Sequence, residues 1–201
     1  LSRVGMDMVQ HAAVSFAARE AFKCPPGAAC QDDLNELRRE SIRVAAIAYV
    51  LAGHVASVDK PDEGMLAGLL NSVGKFYILL RATDHPGLFA DRDTLIGLLR
   101  QWHTGVGRAI VESWNFPEAI AQAVDEQDLT ERDRIGAADL SDVLHVANLI
   151  VRAPAGTEPA EVVEGIDALA RMRMDAEKLA AVLEEQEGEG SRADQEQQEG
   201  E

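Results

Sequence analysis

The feature that most constrains this chain is a helical spacing of apolar residues that recurs along its length and never gives way to sustained period-two alternation. Val44, Ala48, Leu51, Val55 and Val58 fall on one stripe. Leu95, Leu98, Leu99, Trp102, Val106 and Ile110 make a second, and Leu140, Val143, Leu144, Ala147 and Ile150 a third. Aromatic residues are only 4% of the 201, so aliphatic side chains and Ala must fill the core. The abundance of Ala and Leu favours helix further. The predicted fold is an all-α, compact multi-helix bundle with no sheet.

Breakers divide the pattern. A first helix is expected over about 2–22, with Val9, Ala13, Phe16 and Ala17 inward, ended by Pro25-Pro26-Gly27. Asp32 or Asp33 is placed to cap a second helix running to about residue 57. Asp59-Lys60-Pro61-Asp62 opens a helix whose apolar run extends from Met65 to Leu80, interrupted by Asp84-His85-Pro86-Gly87. Further helices are expected over about 93–114, 117–124 (Pro117 in its first turn), 136–152, 159–171 and 175–185. From about 187 the chain is Glu, Gln and Gly without large apolar residues, so 187–201 is expected to be a disordered acidic tail behind a helical domain at 1–186. The opening at Leu1, inside an amphipathic pattern and without Met, points to a piece of something longer.

Charge narrows the partners. Asp and Glu number 35 against 19 Lys and Arg, a net charge of −16, which repels nucleic acid and anionic membranes. Arg38, Arg39 and Arg43 form a small basic group flanked by Glu36 and Glu40. The longest apolar stretch, 44–58, contains Gly53, His54 and Ser57 and is too short to span a bilayer. With no signal peptide visible, a soluble cytoplasmic protein with neither nucleic-acid nor membrane partners is expected. Cys24 and Cys30 share a Pro/Gly/Ala loop and could form a small disulfide; without signs of secretion, free thiols are expected. Two cysteines without a C-x-x-C cannot build a four-ligand zinc site.

The run Gly68-Leu69-Leu70-Asn71-Ser72-Val73-Gly74-Lys75 resembles the G-L-L-H-D-I-G-K signature of the HD superfamily. His103-Thr104-Gly105-Val106-Gly107, then Trp114-Asn115-Phe116-Pro117 and an Ala-rich helix, are similar to the H-x-x-V-G and W-x-x-P run of HDOD domains, the HD-related output domains of bacterial signalling proteins. The segment 37–52 is similar to the helix before the signature, and 144–148 to the later helix ending in Ala-Asp. The resemblance covers about 1–185, and it implies that further helices precede the matched region in complete HDOD domains.

The same resemblance identifies the positions where HD phosphohydrolases hold divalent ions with His and Asp, activating water and clamping phosphate oxygens. Here the first histidine falls at Glu40, the His-Asp pair at Asn71 and Ser72, a paired histidine near Glu126-Gln127, and the final aspartate at Asn148. The downstream histidine is kept, as His103. Asn and Ser are weak neutral ligands, so these vestigial positions imply no catalytic residues, no metal and no cofactor.

Read on their own, His103, His145, His54 and His11 lack partners at metal-ligand spacing on their helices and are expected to pack or hydrogen-bond. Ser72 has no surrounding G-x-S-x-G and reads as a capping or packing serine. Gly68, Gly74, Gly105 and Gly107 lack the full phosphate-loop pattern and read as sites of close helix packing. Trp114 and Phe116 are expected to anchor the short helix after Pro117. Asn71, Ser72, Lys75 and His103 together could line a polar cleft, with Lys75 and His103 the candidates to hold a small anionic ligand. The expected function is a non-catalytic bacterial signalling module acting on a protein partner or other domains of a longer chain. The alternatives are a sensor of a nucleotide or cyclic nucleotide, and a divergent phosphohydrolase relying on Glu40 and His103.

Overall fold

The computed structural model describes residues 28–129 and 136–184. The expected first helix, Cys24, His11 and the expected acidic tail lie outside them. Cys30 is fully buried. Ten helices and no strands are present among the described residues: α1 (Gln31–Gly53), α2 (Pro61–Leu70), α3 (Val73–Ala82), α4 (Gly87–Ala90), α5 (Arg92–Ser113), α6 (Glu118–Glu126), α7 (Leu140–Arg152), α8 (Pro159–Val162), α9 (Asp167–Arg171) and α10 (176–184). None of them is long and apolar enough to cross a membrane.

α1 buries Leu34, Val44, Ala45, Ala48, Leu51 and Ala52 against α2 and α7. Asp32 and Asp33 stand in its first turn, where carboxylates complement the helix dipole; the cap position belongs to Cys30. α1 stops at Gly53, earlier than its apolar stripe implies, and Val55 reaches the core from the turn that follows.

The apolar run from Met65 to Leu80 is two helices, not one. The chain turns at Asn71-Ser72, where Ser72 adopts φ −99° and ψ 6°. The turn re-aims the backbone so that α2 packs on α1 and α3 packs on α5. Glycines permit both approaches: a Cβ on Gly68 would fall on the backbone of Ala45, and one on Gly74 on the carbonyl oxygen of His103. Gly107 faces a methyl group of Val124 less tightly, at 2.9 Å from where its Cβ would stand.

Gly105 departs from the close-packing reading, since a Cβ there meets nothing, and the same holds at Gly97. Replacing either by Ala in mid-α5 should therefore stabilise the protein by about 0.5–1 kcal/mol in urea melts. Gly74→Ala should instead cost about 1–3 kcal/mol, because backbone on the opposing helix has to move.

α5 is capped by Asp91, whose carboxylate accepts the Thr94 N–H. Its buried row is Leu95, His103, Gly107 and Val111, with Leu99 half-buried between them. Trp102, expected in the core, lies off that row and is 54% exposed, because α3 and α6 cover only one side of the helix. Phe116 packs against the core and meets Trp114 edge-on at 6.4 Å, while Trp114 stays partly exposed.

Pro117 is the residue before α6, outside its first turn. α7 starts at Leu140, later than expected, because Asp139 and Asp142 form a reciprocal capping box there. The stretch expected as one helix over 159–171 divides at Gly165, whose φ of +77° suits only a residue without Cβ.

Candidate functional site

Five parts of the chain meet at one place in the core. α1 contributes Glu40 and Ser41, the turn between α2 and α3 contributes Asn71 and Ser72, and α5 contributes His103. The residues after α6 contribute Gln127 and Asp128, and α7 contributes His145, Asn148 and Arg152.

The innermost layer is a ring of amides. Asn71 Nδ2 donates to Asn148 Oδ1 at 2.9 Å, and Asn148 Nδ2 donates to Gln127 Oε1 at 3.0 Å. Gln127 Nε2 closes the ring by donating to the Asn71 carbonyl oxygen at 2.8 Å, and also reaches the Val124 carbonyl. Ser41 Oγ donates to Asn71 Oδ1 at 3.0 Å. His145 Nδ1 donates to the Gln127 carbonyl at 2.8 Å, which fixes the proton on that nitrogen. All of these side chains are buried. A buried amide costs free energy unless paired, and here the side-chain oxygens and amide groups are used on one another.

The outer layer is ionic. His103 Nε2 donates to Asp128 Oδ2 at 2.7 Å, and Arg152 Nη1 donates to the other Asp128 oxygen at 2.9 Å. Arg152 Nε donates to Glu40 Oε1 at 2.7 Å. Burial works to raise the Asp128 carboxyl, but the His103 hydrogen bond and the Arg152 charge prevail and hold it well below the usual carboxylate range. Burial pulls the Arg152 guanidinium down, and its bonds to Glu40 and Asp128 more than restore it, so it stays above its ordinary value. Lys75 stands nearby, half-buried; burial and then the Arg152 charge hold its ammonium below the ordinary lysine value, against the pull of Glu40 and Asp128.

Beside these two layers opens a cavity of about 480 Å³, with Leu37, Lys75, Leu99, Arg100, His103 and Arg152 among its walls.

The positions singled out from sequence divide accordingly. Asn71, Gln127 and Asn148 converge in the amide ring. Glu40 and His103 are joined only through Arg152 and Asp128. Glu126 turns elsewhere and accepts from Gln122 on its own helix. Ser72 precedes α3 but makes no cap; its buried Oγ has no hydrogen-bond partner, which leaves a packing role. His103 and His145 are both buried and hydrogen-bonded. Sequence reasoning missed Ser41, Asp128 and Arg152. Each was within reach of a rule: Ser41 follows Glu40, Asp128 follows Gln127, and Arg152 lies one helical turn beyond Asn148 on the same face.

These residues do not fit a divalent ion. An ion needs anionic or imidazole donors with free lone pairs. The two imidazoles each keep one nitrogen without a partner, His103 Nδ1 and His145 Nε2. The amide ring, however, spends its oxygens internally, and the carboxylates of Glu40 and Asp128 are already bridged by a guanidinium, so two imidazoles alone remain. Among the described residues, no three His, Cys, Asp or Glu side chains group so as to hold a metal.

The HDOD domain family model matches residues 1–129. The crystal structure of a proposed metal-dependent phosphohydrolase from Shewanella amazonensis SB2B superposes with a TM-score of 0.64 at 23% identity, covering 87% of this chain and 68% of that one. That likeness shows a shared fold. No curated protein matches the sequence significantly.

Proposed function

Because the chain belongs to the HDOD domain family, a signalling-associated branch of the HD superfamily, we propose that it is a non-catalytic regulatory module acting through a protein partner or another domain of a longer chain. The carrying observation is the closed ring of Asn71, Asn148 and Gln127, with Arg152 bridging Asp128 and Glu40 beside it. A metal hydrolase needs open lone pairs and a net negative pocket to gather its ion. This arrangement offers saturated amides and a resident cation instead. The contact role is supported by the family's place in signalling and by a scaffold kept while its donor set changed.

The test is a pair of measurements on the full chain. Thermal melts in millimolar Mg²⁺ or Mn²⁺ should show no saturable rise in Tm, since tight binding to the native state would raise it by several degrees. Incubation with a panel of phosphate esters and nucleotides, with either metal present, should release no phosphate above a heat-denatured control. A saturable metal-dependent shift together with phosphate release that disappears in Glu40→Gln would overturn the proposal.

A further inference from the structure

We propose that the cleft between α1, α3, α5 and α7 binds a small organic anion, a phosphate or carboxylate carried on an apolar body.

Charge is the first reason. Lys75, Arg100 and Arg152 line the cavity against a single lining carboxylate, Asp128. With Glu40 included, the cations still outnumber the carboxylates, in a chain whose acids exceed its bases 35 to 19. Arg152 is committed to Glu40 and Asp128. Lys75 and Arg100 make no hydrogen bond or ion pair with any described residue. A half-buried ammonium that Glu40 and Asp128 attract but do not hydrogen-bond is costly, and an anion in direct contact with it reduces that cost. Burial and then the Arg152 charge hold the ammonium low despite Glu40 and Asp128, in keeping with a cation short of direct contacts.

The walls are the second reason. Leu37, Ile96, Leu99 and Leu149 line the same cavity, so an occupant must carry apolar surface as well as charge. A smaller cavity of about 160 Å³ shares Leu37, Lys75, Ile96 and Leu99 and continues the apolar wall to Leu79 and Leu95. Its rim adds Glu36 and the paired Asp33 and Arg92, so the cationic excess belongs to the larger cavity, where the anionic group would sit. Together they have the volume and character of a small-molecule site, mostly apolar with a few convergent polar groups. The inference goes beyond the regulatory reading and holds whether or not that reading does.

The test is calorimetric titration of the full chain with 1-naphthyl phosphate, 1-naphthoate, 1-naphthol and inorganic phosphate. One naphthyl anion or both should bind saturably at one site, and the preferred one identifies the head group as phosphate or carboxylate. Naphthol and inorganic phosphate should each bind at least about tenfold more weakly, since each lacks half of what the cleft offers. Lys75→Met should weaken the anion about tenfold. Arg100→Gln, on exposed surface where folding is safe, should weaken it by a smaller factor, and Arg81→Gln should leave it unchanged. Absence of binding by both naphthyl anions, naphthol binding as tightly as they do, or indifference to both Lys75→Met and Arg100→Gln would overturn the site. Release of naphthol from naphthyl phosphate would overturn the non-catalytic reading while supporting the anion site, so the two proposals fail separately.

Discussion

Replacing Arg171 by Met is expected to lower the free energy of unfolding by about 3–5 kcal/mol, read from urea unfolding. Asp142 is completely buried, and Arg171 is its partner from α9. Arg171 Nη2 donates to Asp142 Oδ1 at 2.7 Å, and Nε reaches both carboxylate oxygens at 3.1 and 3.2 Å. Asp142 also receives the Asp139 N–H in the box that starts α7. Removing the guanidinium takes a bidentate charged partner from a fully buried carboxylate, so less of the desolvation already incurred is offset. The double variant Arg171→Met with Asp142→Leu should recover part of the loss, because no charge is then stranded. It should not recover all, since a broken capping box costs about 1 kcal/mol. A single-variant loss below about 1 kcal/mol would mean that the pair is solvated and does not tie α9 to α7.

Asn148→Asp, which puts a carboxylate into the amide ring, is expected to cost about 3 kcal/mol at neutral pH. Asn148 receives a hydrogen bond from Asn71 and gives one to Gln127 Oε1. An ionised carboxylate keeps the first and turns the second into two acceptors facing each other. Burial raises the folded-state pKa of the new group above its unfolded value. The penalty is therefore complete above the folded pKa and disappears below the unfolded one, so the gap between variant and parent should narrow as pH falls through the acidic range. The protonated acid can donate to Gln127 and restore the ring. Chemical unfolding of both proteins at several pH values checks this; a gap constant with pH would show that the position is wetter than its 2% exposure implies.

Much of the fold was legible because helix periodicity is a local property. The α1 stripe, the start of α2 at Pro61, the stop at Asn115-Phe116-Pro117 and the α7 face all follow from residues a few positions apart. The failures are places where a distant partner decided. Trp102 matches the apolar pattern of α5 yet lies in solvent, because α3 and α6 cover the row through Leu95, His103 and Gly107. The break at Asn71-Ser72 is invisible in the run from Met65 to Leu80, because its cause is contact with α1 on one side and α5 on the other. Gly105 shares a motif with Gly107, but only Gly107 faces another helix.

The candidate site divides in the same way. Composition and residue type alone determined that neutral amides and a serine stand at Asn71, Ser72, Gln127 and Asn148, so the chemical class of those positions was settled before any coordinates. What those amides do for one another was settled by tertiary structure. Ser41 and Asn71 are 30 residues apart, Asn71 and Asn148 are 77, and Glu40 and Arg152 are 112. Donor and acceptor directions over such separations depend on how α1, α5 and α7 pack, and no local pattern encodes that. The sequence by itself determined that amides and a serine stand at these positions; the packing of the helices decided that the amides close into a ring beside an arginine bridge.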